Sequence, residues 1–147
     1  MDAVNDVTGI PDEFQGTPPG TRAMQTWSYT ISSHFLDAFG RPNASSDCPC
    51  ERDLRTSVVQ ALHLMNSKAL QEKLANPEGR VARLAASARN PEEIVTELYL
   101  AAFNRTPNPA ELDTACSAFK GANATRLDAS EDVLWSLLNS PEFVFNH

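Results

Sequence analysis

Apolar positions return at helical spacing through residues 57–147, and most runs open on a recognisable start signal. Val58, Leu62 and Met65 fall on one stripe, and Val81, Leu84 and Ala88 on a second. Ile94, Leu98 and Ala102 form a third, which Val95 and Tyr99 widen. Leu112, Ala115, Cys116 and Phe119 make a fourth, and Val133, Leu134, Leu137 and Leu138 a fifth. Asn90-Pro91-Glu92-Glu93 and Asn108-Pro109-Ala110-Glu111 each offer a capping residue, a proline at the first helical position and a glutamate that can close a capping box. Asn76-Pro77-Glu78 and Ser140-Pro141-Glu142 offer cap, proline and a first-turn acid, which suits the positive end of the helix dipole. Asp128-Ala129-Ser130-Glu131 predicts a further start without proline, and Gly121 predicts a stop for the fourth helix. The starts are unevenly spaced, so the pattern predicts a bundle and not a solenoid repeat.

Residues 1–56 read differently. Pro11, Pro18, Pro19, Gly20, Gly40, Pro42 and Pro49 interrupt regular structure repeatedly. Only Ser28 to Phe39 reads as a candidate short helix, with Ile31, Phe35, Leu36 and Phe39 near helical spacing. The expected fold is therefore mostly α: a small helical bundle of about five to six helices with an irregular Pro/Gly-rich N-terminal arm. The arm (1–56) is expected to pack on the bundle (57–147), the two forming one domain. A chain of 147 residues is long enough to bury one sizeable core.

Composition narrows the function classes. The chain is 41% hydrophobic and 21% charged, ordinary values for a globular domain. Twelve Lys and Arg against 19 Asp and Glu give a net charge of −7 with no basic cluster. Phosphate contacts need a positive footprint, so nucleic acid is not an expected partner, and an anionic membrane surface is disfavoured on the same ground. Met1-Asp2-Ala3-Val4-Asn5-Asp6 has neither a basic nor an apolar region, so the chain carries no recognisable signal peptide. No apolar run reaches the roughly 20 residues of a membrane span.

Candidate chemistry concentrates in Cys48-Pro49-Cys50-Glu51-Arg52, which holds two of the three cysteines. Pro49 biases Cys48 towards an extended conformation, and residues two apart in an extended chain point to one side. Both sulfurs, with His34 or His63, could then hold a soft metal or zinc, although the second spaced pair of a strong zinc signature is missing. A Cys48–Cys50 disulfide would close a very small ring near the upper limit of allowed Cα separation. A structural, unreactive role for the pair is the third reading. Cys116, on an apolar stripe, reads as a buried small hydrophobe. Covalent haem attachment needs Cys-x-x-Cys-His, and this segment is one residue short and lacks the histidine. His63 or Met65 could serve only as an axial ligand to haem held elsewhere, and a helical position already accounts for both. No nucleophile elbow, phosphate loop or His-Glu-x-x-His pattern occurs. Glu51 and Arg52 read as a weakly paired surface couple, and Glu92-Glu93 and Glu131-Asp132 as first-turn acids.

Read in order, several motifs resemble one family. They are Phe39-Gly40-Arg41-Pro42, Cys48-Pro49-Cys50-Glu51-Arg52, Gln60-Ala61-Leu62-His63-Leu64-Met65-Asn66 and the ending Leu134-Trp135-Ser136-Leu137-Leu138-Asn139-Ser140-Pro141-Glu142-Phe143-Val144-Phe145-Asn146-His147. Together they resemble the C-terminal part of the PSD-type domain of unknown function found in planctomycete cytochrome-c-domain proteins. Val7-Thr8-Gly9-Ile10-Pro11 and Gly20-Thr21-Arg22-Ala23 look like the family's approach to Phe39-Gly40-Arg41-Pro42. Two departures stand out: Pro49 replaces an acid between the cysteines, and Leu54-Arg55-Thr56-Ser57 replaces Ser-Glu-Pro-Thr before the Gln60 helix.

The resemblance implies a long, exported multidomain parent with haem c on a separate, cytochrome-like domain and no cofactor in this segment. It implies a periplasmic or exported location, a natural C-terminus at residue 147, and an N-terminus inside the parent's domain. It makes Arg41, Glu51, Arg52, Gln60 and Asn66 motif residues. The expected role is a non-catalytic C-terminal helical module docking to other domains of the parent or to an envelope protein. The alternatives are a metal or redox site at Cys48, Cys50 and His63, or part of a split hydrolytic site using Arg41, Glu51, Arg52 and His63.

Overall fold

The computed structural model of this protein describes residues 2–14, 16–18, 20–25, 67–121 and 124–146. Among these the elements are α1 (Asp2–Thr8), α2 (Lys68–Leu74), α3 (Arg80–Ala86), α4 (Pro91–Phe103), α5 (Pro109–Ser117), α6 (Arg126–Leu138) and α7 (Pro141–Asn146). Short 3-10 turns cover Ala23–Gln25 and Ala118–Lys120, and no strand occurs among the described residues. The architecture is the mostly α small bundle that the apolar stripes predict.

Two helices make the centre. Ile94, Val95, Leu98 and Ala102 of α4 are fully buried, as are Leu134 and Leu138 of α6, with Val133 and Leu137 nearly so. Helix α6 packs on α3 and α4, and α5 packs on α4 and on the Ala118–Lys120 turn. Val4 and Val7 of α1, Leu70 and Leu74 of α2, Val81 of α3 and Phe143 of α7 join the same core. Burial of each such side chain contributes roughly 1.5–3 kcal/mol before the entropy of ordering it is subtracted.

The caps of α4 and α5 form as their sequences dictate. Asn90 Oδ1 accepts from the Glu93 N–H at 2.9 Å and Glu93 Oε2 accepts from the Asn90 N–H at 2.8 Å. Asn108 and Glu111 repeat the arrangement at 2.9 and 2.7 Å. Asn104, in the left-handed conformation at φ 55°, ends α4 and turns the chain towards α5. Helix α7 starts at Pro141, and Ser140 Oγ accepts from the Phe143 N–H at 3.2 Å.

Other starts fall elsewhere than the sequence rules place them. Asn76-Pro77-Glu78-Gly79 does not open a helix; it closes a turn, with the Gly79 N–H on Asn76 O at 2.8 Å and the Glu78 N–H on Asn76 Oδ1 at 2.9 Å. Helix α3 begins at Arg80, after Gly79. A Cβ on residue 79 would stand 2.9 Å from Asn76 O, so the close approach requires glycine. Helix α6 begins one turn earlier than expected, capped by Thr125, and Asp128 is the third residue of its capping box instead of the cap. Helix α5 gives way to the Ala118–Lys120 turn, which Gly121 follows at φ −63°, without the left-handed conformation.

The N-terminal residues are also more regular than their prolines suggest. Helix α1 is a correction to an arm read as irregular up to Ser28. Its Val4, Val7 and Thr8 are buried, and Gly9 at φ 73° terminates it. Basic side chains from α2 and α3 hold it down. Arg80 Nε donates to Val7 O at 2.7 Å and Lys73 Nζ donates to Ile10 O at 2.8 Å while pairing with Asp12 at 3.0 Å. Cations over the C-terminal carbonyls of a helix suit its dipole. The Ser28–Phe39 segment and the Val58–Met65 stripe lie outside the described residues.

Candidate functional site

Arg105 follows the Asn104 cap and closes a network across three elements. Its Nε and Nη2 donate to Glu142 Oε1 and Oε2 at 2.8 and 2.7 Å, in the first turn of α7. Its Nη1 and Nη2 donate to Glu111 Oε2 and Oε1 at 2.9 Å each, in the first turn of α5. Nη1 also donates to Thr106 O at 3.2 Å. All five guanidinium N–H groups are thereby engaged. The planar group lies over the rings of Tyr99 (5.6 Å) and Phe103 (5.4 Å) on α4, which meet edge to face with centroids 5.5 Å apart.

Electrostatics follow from this geometry. The Arg105 hydrogen bonds, helped by the Asn108 N–H, hold the Glu111 carboxyl down at about 2. The same guanidinium holds Glu142 below the usual carboxylate range, and the two carboxylates raise Arg105 in return. Burial raises the Tyr99 phenol, and Glu111 adds to the effect. An arginine with four donors on two ionised carboxylates and the fifth on the Thr106 carbonyl has nothing left to offer a phosphate or a substrate carboxylate. The network joins α5 and α7 to α4.

Beside the network lies a groove of about 440 Å³ between α5 and α6. Buried Tyr99, Val133 and Leu137 and half-buried Ala115 and Ala118 supply its apolar lining. Asn108, Ala110, Thr114, Asp132 and Ser136 are its exposed lining residues, and Glu111 joins it to the Arg105 network. The groove offers no paired general acid and base: Glu111 is fixed by its ion pair and its cap.

Cys48, Cys50, His34, His63, Met65, Arg41, Glu51, Arg52, Gln60 and Asn66 lie outside the described residues, so the structure neither assembles nor separates them. Cys116 is half-buried with its thiol free, and burial pushes that thiol up. It packs against the core as the apolar stripe predicts. Among the described residues no group of three His, Cys, Asp or Glu side chains is placed to hold a metal ion, and no helix is long and apolar enough to cross a membrane.

Sequence reasoning assigned Glu111 and Glu142 to helix starts and passed over Arg105. The available signal was a lone arginine directly after a left-handed Asn cap, with a first-turn acid six residues on.

The comparison with known families settles the kinship. The match to PSD1, a protein of unknown function (DUF1553), covers residues 15–119, more than two thirds of the chain. This chain belongs to the PSD1 family. No curated protein and no solved structure matches it. The PSD1 match takes in Phe39-Gly40-Arg41-Pro42, the cysteine pair, Tyr99, Arg105 and Glu111, whereas Asp132, Val133, Leu137 and Glu142 lie beyond it. The groove and the Arg105 network therefore straddle the edge of the PSD1 match.

Proposed function

We propose that this chain is a non-catalytic helical module that docks onto other domains of a larger exported protein, or onto an envelope partner. The supporting observation is an apolar-lined groove beside the Arg105 network, whose guanidinium and two carboxylates satisfy one another. Grooves of this kind between helices take up apolar side chains of a docking segment without any reacting group. The planctomycete setting, the exported location and a haem c on a separate domain of the parent rest on the motif resemblance.

The test is co-expression of this chain with the upstream region of its reading frame, followed by light scattering on a sizing column. Co-elution in a defined stoichiometry is expected. A chain that elutes alone as a monomer from every such mixture overturns the reading.

A further inference from the structure

One charge of the groove lining, that of Asp132, is not balanced from within the described residues. Among the described residues, Arg22 pairs with Asp6, Lys68 with Glu72, Lys73 with Asp12, Arg89 with Glu97, and Arg105 with Glu111 and Glu142. Arg80, Arg83 and Arg126 donate to the backbone carbonyls of Val7, Glu78 and Ser87. Of the two acids that line the groove, Glu111 is held by Arg105, and Asp132 lacks such a match. Asp132 lines it, exposed and without an ion pair among the described residues. No Lys or Arg lines the groove.

On the docking reading, the groove itself sets the chemistry of the partner. We propose that the α5–α6 groove seats an amphipathic helix of a partner protein that carries Lys or Arg. An apolar side chain of that helix rests on Val133 and Leu137, and its cation meets Asp132. Ala110, Ala115 and Ala118 are small enough to let a helix approach closely. A cation placed opposite Asp132 sets the orientation of the helix and disfavours an acidic competitor. A second copy of this chain is a poor occupant, because each copy carries −7 and the described cations are almost all engaged.

The experiment is selection of a displayed random-peptide library on the whole chain, followed by anisotropy titration of the enriched peptides. The expected winners place Lys or Arg three or four positions from a large apolar residue. Their binding is expected to weaken about ten-fold in Ser136→Arg, which fills the groove from an exposed position. Asp132→Asn is expected to weaken it about three-fold, with the difference shrinking at high salt. Far-UV circular dichroism checks that both surface variants fold, and Ala110→Arg is the substitute blocker. Winners that are acidic, winners indifferent to both substitutions, or no winners at all overturn the proposal. Co-elution with the upstream region that survives Ser136→Arg would retire the groove and leave the docking reading standing.

Discussion

Arg105 and Glu142 stand 37 positions apart and meet through two parallel hydrogen bonds, Nε to Oε1 at 2.8 Å and Nη2 to Oε2 at 2.7 Å. The same guanidinium grips Glu111 through two more, so one side chain ties the starts of α5 and α7 to the end of α4. The fork geometry matters as much as the charge, since a planar guanidinium can serve two carboxylates at once.

Arg105→Lys should therefore fail to replace it. A lysine keeps the charge but offers one ammonium, and it loses the flat contact with Tyr99 and Phe103. Arg105→Met should lower the thermal midpoint more than Arg105→Lys, because it strands Glu111 and Glu142 beside each other. Calorimetry on both variants measures the order; equal midpoints for wild type and Arg105→Met would show the network to be idle.

The pH dependence of that network has a definite sign. Glu111 titrates at about 2 in the folded chain against an ordinary value of 4.5. A depressed carboxyl contributes stability that is fully present above the unfolded value and is lost as pH falls through the folded one. The gap in urea midpoint between wild type and Glu111→Gln should thus be constant above about pH 5. It should narrow between 4.5 and about 2. A gap that widens on acidification contradicts the ion pair.

The cap of α4 makes a cleaner quantitative case, because Asn90 is exposed and its side-chain oxygen bonds only the Glu93 N–H. Asn90→Ala should cost about 1 kcal/mol, a drop of roughly 3 °C in midpoint for a chain of this size. Asn90→Asp should restore most of it, since aspartate caps equally well. Matching losses in both variants would mean that the cap is not the cause.

Those caps also explain which parts of the fold were legible. Helices α4 and α5 could be read because Asn-Pro-x-Glu contains its own start within four residues. The Asn76 and Asp128 starts were misplaced because a local signal there has two solutions. Asn76-Pro77-Glu78-Gly79 can also close a turn, and Thr125 and Asp128 head overlapping boxes. Starting α6 at Arg126 brings Ala129 and Ser130 into the helix on its buried side, so packing decides what capping leaves open. Helix α1 was missed because seven residues, four of them valine or aspartate, are marginal alone and depend on Arg80 and Lys73 from distant sequence. Family membership was legible from ordered motifs, whereas the Arg105 network was not, since no local rule pairs Arg105 with Glu142.

The core offers the largest single effect. Leu134 is fully buried on α6, in the same cluster as Ile94 and Leu98 of α4. Leu134→Ala should cost about 2–5 kcal/mol through lost burial and the cavity left behind. Exposed Leu127, on the same helix, should tolerate alanine within about half a kcal/mol. Urea unfolding of the pair provides the contrast, and comparable losses at both sites would contradict the burial pattern.

Glu131 should respond in the opposite direction, because the register of α6 leaves it without a capping role. The box uses Thr125 and Asp128, so Glu131 lies beyond the first turn. Burial raises its carboxyl above the ordinary 4.5, and the neighbouring Asp128 and Asp132 charges push the same way. A raised carboxyl penalises the folded chain once both states are ionised, and the penalty disappears below the unfolded value. Glu131→Gln should therefore stabilise the protein at pH 7, by about half a kcal/mol or less for a site that is only partly buried. At about pH 4 the substitution should be neutral, because the wild-type carboxyl is then largely protonated in the fold. Urea midpoints at the two pH values decide it: a loss of stability at pH 7 would mean that Glu131 makes a favourable contact, and the register argument for α6 would have to be rebuilt around that contact.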